Sequence, residues 1–307
     1  MKVLVTGATG FIGRYVYNKL LKTNIDFYLT SRNARNDIKN CYILDILNYQ
    51  DTQALIKKIK PDILIHLAWD VSHGEFWTSS KNICYAEATI NLFKLFINEG
   101  GKKIIAAGTC AEYPTSSQVV FEHLVYQGEL SEYGKAKQVV YNFLKSCELA
   151  NTIEFTWFRI FGIFGDRENK QRFFPSAINA IKNGEVLKIK EPGSFCDYVY
   201  VDDLAYFIVA CIDKVGLGAV NIGTGEAMSM MAMYKLIENY MKTGIFKIVK
   251  TTQKASENSR IPNCKKLQRN GFHFTLQHGL HVERIQEFQI AKSYKEIVEN
   301  NDELSQL

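Results

Sequence analysis

Val3-Leu-Val-Thr-Gly7-Ala-Thr-Gly10-Phe-Ile-Gly13 places three glycines between an apolar run and an amphipathic segment. Residues 2–6 are apolar and mostly β-branched, which predicts a strand, and from Ile12 the apolar residues recur with a helical period. A strand that turns into a helix at glycines lets a pyrophosphate approach backbone N–H groups at the positive end of the helix. The sequence therefore predicts a dinucleotide-phosphate site at this turn.

A second strand is predicted over residues 26–30, and it ends in Ser31 and Arg32, with Arg35 just beyond. Cofactors with a free ribose 2′-hydroxyl usually meet a carboxylate at this position, whereas a 2′-phosphate calls for a cation and small donors. We therefore expect NADP, with NAD as the open alternative. The other cofactor contacts expected in this half of the chain lie at the glycine turn and at strand ends: Gly7, Thr9, Gly10, Phe11, Ile12, Gly13, Asp45, Ile46, Leu67, Ala68 and Trp69.

Composition and charge argue against a membrane protein and against a nucleic-acid-binding protein. The 307 residues are 47% hydrophobic and 22% charged, without an apolar run near the roughly 18 residues that a membrane span needs. A leader with a cleavage site is not recognisable, so we expect a soluble, cytoplasmic protein without membrane contact. The net charge of +5 is small and its basic residues are scattered, which argues against nucleic-acid binding.

The seven cysteines are an odd number without close pairs. This spacing spells neither a disulfide framework nor a zinc site. We expect reduced thiols and no metal.

Strands and helices are predicted to alternate in units of about thirty residues. Apolar periodicity indicates a helix over 51–60, a strand over 62–69, a helix over 81–98 and a strand over 103–107. This alternation favours an α/β fold with a Rossmann-type doubly wound parallel sheet. His66, inside one of the strands, is expected to be a buried core residue rather than a catalyst.

Tyr133 and Lys137 are the best catalytic candidates, within Ser131-Glu-Tyr133-Gly-Lys-Ala-Lys137. Residues four apart on a helix share one face. A nearby ammonium favours the phenolate, so we expect the pKa of Tyr133 to fall towards neutrality, as proton transfer at a carbonyl requires. Thr109 follows a predicted strand twenty-four residues earlier and supplies a hydroxyl.

The chain resembles the extended short-chain dehydrogenase/reductase family, which contains epimerases, dehydratases and reductases of nucleotide sugars. The resemblance rests on the glycine turn, Tyr133-x-x-x-Lys137, His66-Leu-Ala, Thr89-Ile-Asn91-Leu, Phe158-Arg159-Ile-Phe-Gly-Ile-Phe-Gly165, Asp197-Tyr-Val-Tyr-Val-Asp202-Asp203 and Asn221-Ile-Gly-Thr-Gly225. It implies that Tyr133 transfers the proton and that Lys137 holds the ribose, with Ile160 also at the cofactor. A hydroxyl at the end of the fifth strand binds the reacting oxygen in this family.

Either Thr109 or Cys110 occupies that hydroxyl position, because Gly108-Thr-Cys-Ala-Glu-Tyr113 is one residue shorter than the family's S-S-x-x-V-Y-G. We choose Thr109, since a hydroxyl donates a better hydrogen bond than a thiol. The family's dehydratases carry an acid one or two residues after this position, where this chain has Cys110 and Ala111. Reduction or epimerisation is therefore favoured over 4,6-dehydration.

Cys196 replaces the arginine that in this family often grips the sugar-nucleotide diphosphate, and Arg172 is expected to bind the substrate instead. The combined interpretation is NAD(P)H-dependent reduction of the C4 keto group of a nucleoside-diphosphate 4-keto-6-deoxyhexose, for example a dTDP- or CDP-linked sugar. This 4-ketoreductase branch makes deoxyhexoses for surface polysaccharide such as O-antigen. The alternatives are an NAD-dependent nucleotide-sugar epimerase and a non-catalytic sensor of NADP(H).

Two unequal domains are expected. The NAD(P)-binding Rossmann domain is predicted over 1–165 plus 196–222, and a smaller C-terminal substrate lobe over 166–195 plus 223–307. By resemblance to the family, the helices near 82–98 and 133–148 pair with those of a second subunit, which implies a homodimer.

Overall fold

A seven-stranded sheet in which all neighbouring strands are parallel forms the centre of the protein. The computed structural model describes residues 1–35, 37–116, 118–125, 127–243 and 255–276. The strands within these residues are β1 Lys2–Thr6, β2 Asp26–Ser31, β3 Cys41–Ile43, β4 Ile63–His66, β5 Lys103–Thr109, β6 Val119–Val120, β7 Glu154–Ile160, β8 Gly162–Phe164, β9 Phe195–Cys196, β10 Tyr198–Tyr200, β11 Gly218–Ile222, β12 Met228–Ser229 and β13 Ile261–Pro262.

The order of the large sheet is β11-β7-β5-β4-β1-β2-β3. The chain builds outwards from β1 in one direction to β3, and then returns to build from β4 in the other direction. Such a reversal leaves a crevice beyond the carboxyl ends of the two central strands, β1 and β4. The α/β, doubly wound parallel fold predicted from the alternating pattern is confirmed.

Helices cover both faces of this sheet. They are α1 Phe11–Leu20, α2 Tyr49–Ile59, α3 Lys81–Asn98, α4 Glu132–Leu149, α5 Phe173–Asn183, α6 Val201–Ala210, α7 Met230–Thr243 and α8 Lys265–Arg269. One apolar core lies between the sheet and the pair α1 and α6, and a second lies between the sheet and α2, α3 and α4. Burial on both faces explains why β4 reads as an almost continuous apolar run.

Local sequence signals set the helix ends. Asn48 caps α2 by accepting from the Asp51 backbone N–H, and Lys60 closes it in the left-handed conformation, at φ +48°, just before Pro61. The predicted strand over 62–69 is shorter, Ile63–His66. The last three residues of the predicted strand, Leu67, Ala68 and Trp69, lie outside β4 and line the crevice.

His66 is a buried core residue, as predicted. Its Nδ1 lies 2.8 Å from the Thr6 hydroxyl and its Nε2 lies 3.1 Å from the Thr89 hydroxyl. Burial lowers the pKa of His66 to about 3, so the imidazole is neutral at physiological pH. It joins two central strands to α3.

A third, smaller apolar cluster combines residues from both predicted domains. Phe164 stacks on Phe174, with ring centres 4.3 Å apart, and Met233 of α7 joins the same cluster. The division into a Rossmann domain and a substrate lobe stays a prediction, and its residues 244–254 and 277–307 lie outside the described part of the chain. Within the described part, none of the helices is long and apolar enough to cross a membrane.

Candidate active site

A cleft of about 760 Å³ lies beyond the carboxyl ends of the central strands. Parallel strands bring their ends to one edge, so residues far apart in sequence meet there. Arg35 is the one predicted site residue that does not line this cleft. Those that line it are Gly7, Thr9, Gly10, Phe11, Ile12, Gly13, Ser31, Arg32, Asp45, Ile46, Leu67, Ala68, Trp69, Thr109, Tyr133, Lys137, Ile160 and Arg172.

The glycine turn forms a cradle that side chains would fill. Gly7 has φ +73°, and a Cβ there would lie 2.7 Å from the Ala68 backbone nitrogen. A Cβ on Gly13 would collide with the Gly7 carbonyl oxygen. Gly10 is the N-cap of α1 and makes no side-chain cap, so the first N–H groups of α1 face the cleft. This geometry fits the pyrophosphate of a dinucleotide.

Of the three residues expected to bind the 2′-phosphate of NADP, Ser31 and Arg32 line the cleft and Arg35 does not. The Ser31 hydroxyl lies 3.3 Å from the Thr9 hydroxyl, and Arg32 lines the cleft beside them. Arg35 instead forms a two-fold ion pair with Asp37, at 2.8 and 2.7 Å, on the exposed surface. Its role as a cofactor ligand therefore stays a prediction without support from its position.

Thr109 stands at the end of β5, where its hydroxyl accepts from the Ala111 backbone N–H at 3.2 Å. Interaction with Thr109 opposes the rise in the pKa of the Tyr133 phenol without cancelling it. Cys110 also lines the cleft, but its Sγ points at the Phe161 carbonyl oxygen, 3.7 Å away. Of the two alternatives, Thr109 has the geometry expected of the hydroxyl.

The Lys137 ammonium is buried and donates to the Ala107 carbonyl oxygen at 2.8 Å. Burial lowers the pKa of Lys137 to about 7. Burial also raises the pKa of Tyr133 above its usual value. The expectation that Lys137 pulls this pKa towards neutrality is therefore wrong for this structure, because loss of water around the phenol outweighs the contributions of neighbouring groups.

Three aromatic residues surround the phenol ring of Tyr133. Its ring centre lies 6.2 Å from that of Trp69, 5.0 Å from Phe76 and 6.1 Å from Trp77. Phe76 and Trp77 belong to the loop between β4 and α3, and the sequence predictions did not include them among the site residues. The available signal was a pair of aromatic residues in an otherwise polar loop.

Arg172, which also lines the cleft, is the N-cap of α5 and lies near a buried carboxyl group. This group belongs to Glu168, whose side chain is 8% exposed and whose Oε2 has no hydrogen-bond partner. Burial raises the pKa of Glu168 to about 8, against the opposing effect of Arg172. Sequence reasoning missed Glu168, because a single glutamate in a loop carries no pattern.

A buried ion pair supports the catalytic strand end from behind. Glu112 accepts from the Arg159 Nε at 2.8 Å, from the Trp157 indole at 2.9 Å and from the Thr109 backbone N–H at 2.8 Å. A Cβ on Gly108 would lie 2.6 Å from a Glu112 carboxyl oxygen and would collide with the Trp157 indole. This packing fixes the backbone from which Thr109 projects.

The described residues contain neither a candidate metal site nor a disulfide bond. They contain no group of three or more His, Cys, Asp or Glu side chains that could hold a metal ion. All seven cysteines lie within the described residues as free thiols.

Comparison with known proteins places this fold and site in a family. The sequence profile of the NAD dependent epimerase/dehydratase family matches residues 3–223. A UDP-glucuronate 4-epimerase of Thermodesulfobacterium geofontis is 26% identical over 244 residues, which cover 73% of this chain and 75% of that protein.

Solved structures show the same fold. The UDP-glucose 4-epimerase of Thermotoga maritima, solved with UDP-glucose, superposes with a TM-score of 0.76 at 21% identity, covering 94% of this chain and 99% of that chain. The UDP-glucose 4-epimerase of Thermus thermophilus, solved with NAD, gives a TM-score of 0.71 at 17% identity, with the same coverage. The profile match spans well over half of the sequence, and the chain therefore belongs to the NAD-dependent epimerase/dehydratase family.

Proposed function

We propose that this enzyme is a nucleotide-sugar 4-epimerase that uses NAD. The observation that carries the proposal is the meeting of Thr109, Tyr133 and Lys137 in the cleft that also contains the glycine cradle. Relatives of this chain support the reaction, since the similar proteins named above are 4-epimerases of UDP-linked sugars. The proposal thus moves from the reductase favoured by the sequence to its epimerase alternative.

The residues of the cleft suit proton transfer at the C4 oxygen. When bound, NAD would be held at the glycine turn by Gly7, Gly10 and Gly13 and would supply reversible hydride transfer at C4. Tyr133 takes the hydroxyl proton as the ketone forms and gives it back to the alkoxide. Thr109 donates to the same oxygen, and a protonated Lys137 is proposed to reduce the cost of forming the phenolate, although burial sets the direction of the shift in the phenol's pKa.

Arg172 is proposed to bind the nucleotide-sugar diphosphate. It lines the cleft at the N-terminus of α5, where a guanidinium and free backbone N–H groups both favour a phosphate oxygen.

A second candidate is the 4-ketoreductase for a dTDP- or CDP-linked 4-keto-6-deoxyhexose, with NADPH. Ser31 and Arg32 favour it, because they place a hydroxyl and a cation at the end of β2, where a ribose 2′-phosphate would lie. A reductase releases its oxidised cofactor in every turnover, whereas an epimerase regenerates the same molecule.

Cofactor retention and product analysis separate the two reactions. The purified protein is desalted and denatured, and the oxidised and reduced nicotinamide cofactor that it releases is quantified. It is then incubated with UDP-sugars, and separately with NADPH and 4-keto-6-deoxy sugar nucleotides. Retained cofactor and NMR-detected inversion at C4 without net NADH consumption support the epimerase. An empty site with stoichiometric NADPH oxidation supports the reductase and overturns the epimerase.

Tyr133→Phe tests whether the site is catalytic at all. We expect activity to fall by about 10²- to 10⁴-fold with cofactor affinity little changed, because the variant lacks the proton-transfer group. Tyr28→Phe, which changes a phenol on β2 that does not line the cleft, is the matched control and should keep full activity. Full activity in Tyr133→Phe would overturn the proton-transfer role of Tyr133, whereas a wild type without activity on any sugar nucleotide would support the non-catalytic sensor.

A homodimer is proposed as the assembly. α3 and α4 pack side by side, and they expose the apolar side chains of Ile83 and Val139, 58% and 54% exposed. Sedimentation equilibrium of the wild type and of Ile83→Glu tests this arrangement. A wild type that sediments as a monomer would contradict it.

A further inference from the structure

The buried ammonium of Lys137 faces an aromatic ring. Its Nζ lies 3.8 Å from the centre of the Trp69 ring system and 2.8 Å from the Ala107 carbonyl oxygen. Lys137 forms no ion pair within the described residues, but the carboxylate of Glu112, beyond ion-pair distance, raises the pKa of the ammonium against the effect of burial. A cation within about 6 Å of an aromatic face is attracted to the ring, and more strongly where water is excluded. Trp69 therefore replaces part of the hydration that the ammonium loses.

Trp69 packs against the ring of Tyr85, with ring centres 5.7 Å apart, and one buried side chain hydrogen-bonds its indole. Its indole N–H donates to Asn82 Oδ1 at 2.9 Å. The Asn82 amide nitrogen in turn donates to the carbonyl oxygens of Phe76, at 2.7 Å, and Ser79, at 2.9 Å. An indole only donates and a carbonyl only accepts, so these partners fix which end of the amide is oxygen. Asn82 is 2% exposed and uses both ends of its amide.

The same loop reaches the other catalytic side chain. The Tyr133 backbone N–H donates to the Trp77 carbonyl oxygen at 3.3 Å, and the Phe76 ring meets the Tyr133 ring edge-to-face. Asn82 thus connects one contact of the lysine, through Trp69, with the segment that contacts the tyrosine. Neither Asn82 nor Trp69 needs to touch the reacting atoms to influence both.

We propose that Asn82 is a positioning residue that fixes Trp69 over the Lys137 ammonium and so keeps this buried lysine protonated while the cleft excludes water. The inference rests on the role given to Lys137 in the proposed function. It holds equally for an epimerase and for a reductase, because both reactions need the ammonium beside the phenol.

Titration of the lysine in protein without added substrate tests the proposal directly. The Nζ resonance of Lys137 is followed by ¹⁵N NMR against pH and assigned with Lys137→Met. We expect Trp69→Leu and Asn82→Ala to lower its midpoint by about one pH unit, the equivalent of a tenfold change in protonation. Trp69→Phe keeps an aromatic face and should shift the midpoint less.

Tyr42→Leu is the matched control, since it removes a ring that lies 4.9 Å from the ammonium of Lys58, far from the proposed chemistry. It should leave the Lys137 midpoint unchanged. A wild-type midpoint in Trp69→Leu would overturn the proposal. A shift in Trp69→Leu without one in Asn82→Ala would overturn the role of Asn82, since the ring would then hold its place unaided.

The pH profile of kcat/KM gives a second readout. In Trp69→Leu and Asn82→Ala the alkaline limb should move down by the same interval as the lysine midpoint, while Tyr42→Leu follows the wild type. A uniform loss of activity without displacement of that limb would indicate a purely structural role and contradict the proposal. If all variants titrate as expected but no sugar nucleotide reacts, the proposed function fails while the positioning role stands.

Discussion

Glu168→Gln removes a buried carboxyl group from the substrate side of the cleft and keeps its shape. The side chain is 8% exposed, and its Oε2 finds no hydrogen-bond partner. Burial raises the pKa of this carboxyl from 4.5 to about 8, even though Arg172 acts in the opposite direction. In the unfolded chain the same carboxyl ionises near its ordinary value. Ionisation of this carboxyl therefore favours the unfolded chain, and the folded protein loses stability as pH rises above the ordinary pKa.

The sign and the size of the effect follow from this difference. Between pH 4.5 and about 8 the folded state binds more protons, so stability falls as pH rises through this interval and levels off above it. At about 1.4 kcal/mol for each pKa unit, the upper limit is roughly 5 kcal/mol. Relaxation of the loop and entry of water reduce this limit, and we expect about 2 kcal/mol. Glutamine carries no charge at any pH in this range and escapes the loss.

Urea denaturation between pH 5 and pH 9 measures this change in the free energy of unfolding. Glu168→Gln should gain about 2 kcal/mol in unfolding free energy relative to the wild type on going from pH 5 to pH 9. Glu87→Gln changes an exposed glutamate on α3 and is the control, with a difference independent of pH. Parallel stability curves for Glu168→Gln and the wild type would refute the reasoning, because the carboxyl would then ionise equally in both states.

Four further substitutions test other parts of the structure. Gly13→Ala places a methyl group against a carbonyl of the glycine turn, so we expect cofactor affinity, measured by fluorescence titration, to fall more than tenfold. Glu112→Gln leaves a buried arginine without its carboxylate and should lower the unfolding free energy by about 3 kcal/mol in a urea titration. Arg32→Ala should weaken NADP binding more than NAD binding in calorimetry, whereas Arg35→Ala should change neither, since an aspartate already holds that guanidinium.

The sequence was sufficient for the parts of the fold that depend on local pattern. Glycine spacing between an apolar run and a helical period predicted the turn at Gly7, because few other arrangements need that spacing. Alternation of strands and helices predicted the parallel sheet. Once the sheet is parallel, strand ends meet at one edge, and residues as distant as Asp45 and Ile160 line the same cleft.

Features that depend on packing escaped prediction. The sequence predicted that Arg35 binds a phosphate, but in the structure its guanidinium donates two hydrogen bonds to the carboxylate of Asp37. The spacing of Tyr133 and Lys137 gave their shared helix face correctly, yet it carried no information on how completely the phenol is buried, and burial decides the direction of its pKa. The Glu168 carboxyl is buried by a fold that brings α5 and the loop after β8 together, which no local pattern records.

The contact between Gly108 and Trp157 makes two distant positions interdependent. The indole occupies the volume that any side chain at 108 would require, and its N–H is satisfied only by Glu112 in the same space. Introducing a serine before Thr109 therefore demands both a smaller residue at 157 and displacement of the Glu112 carboxyl group. Directed-evolution libraries that randomise strand ends one at a time will find position 108 closed, because positions 112 and 157 have to change with it.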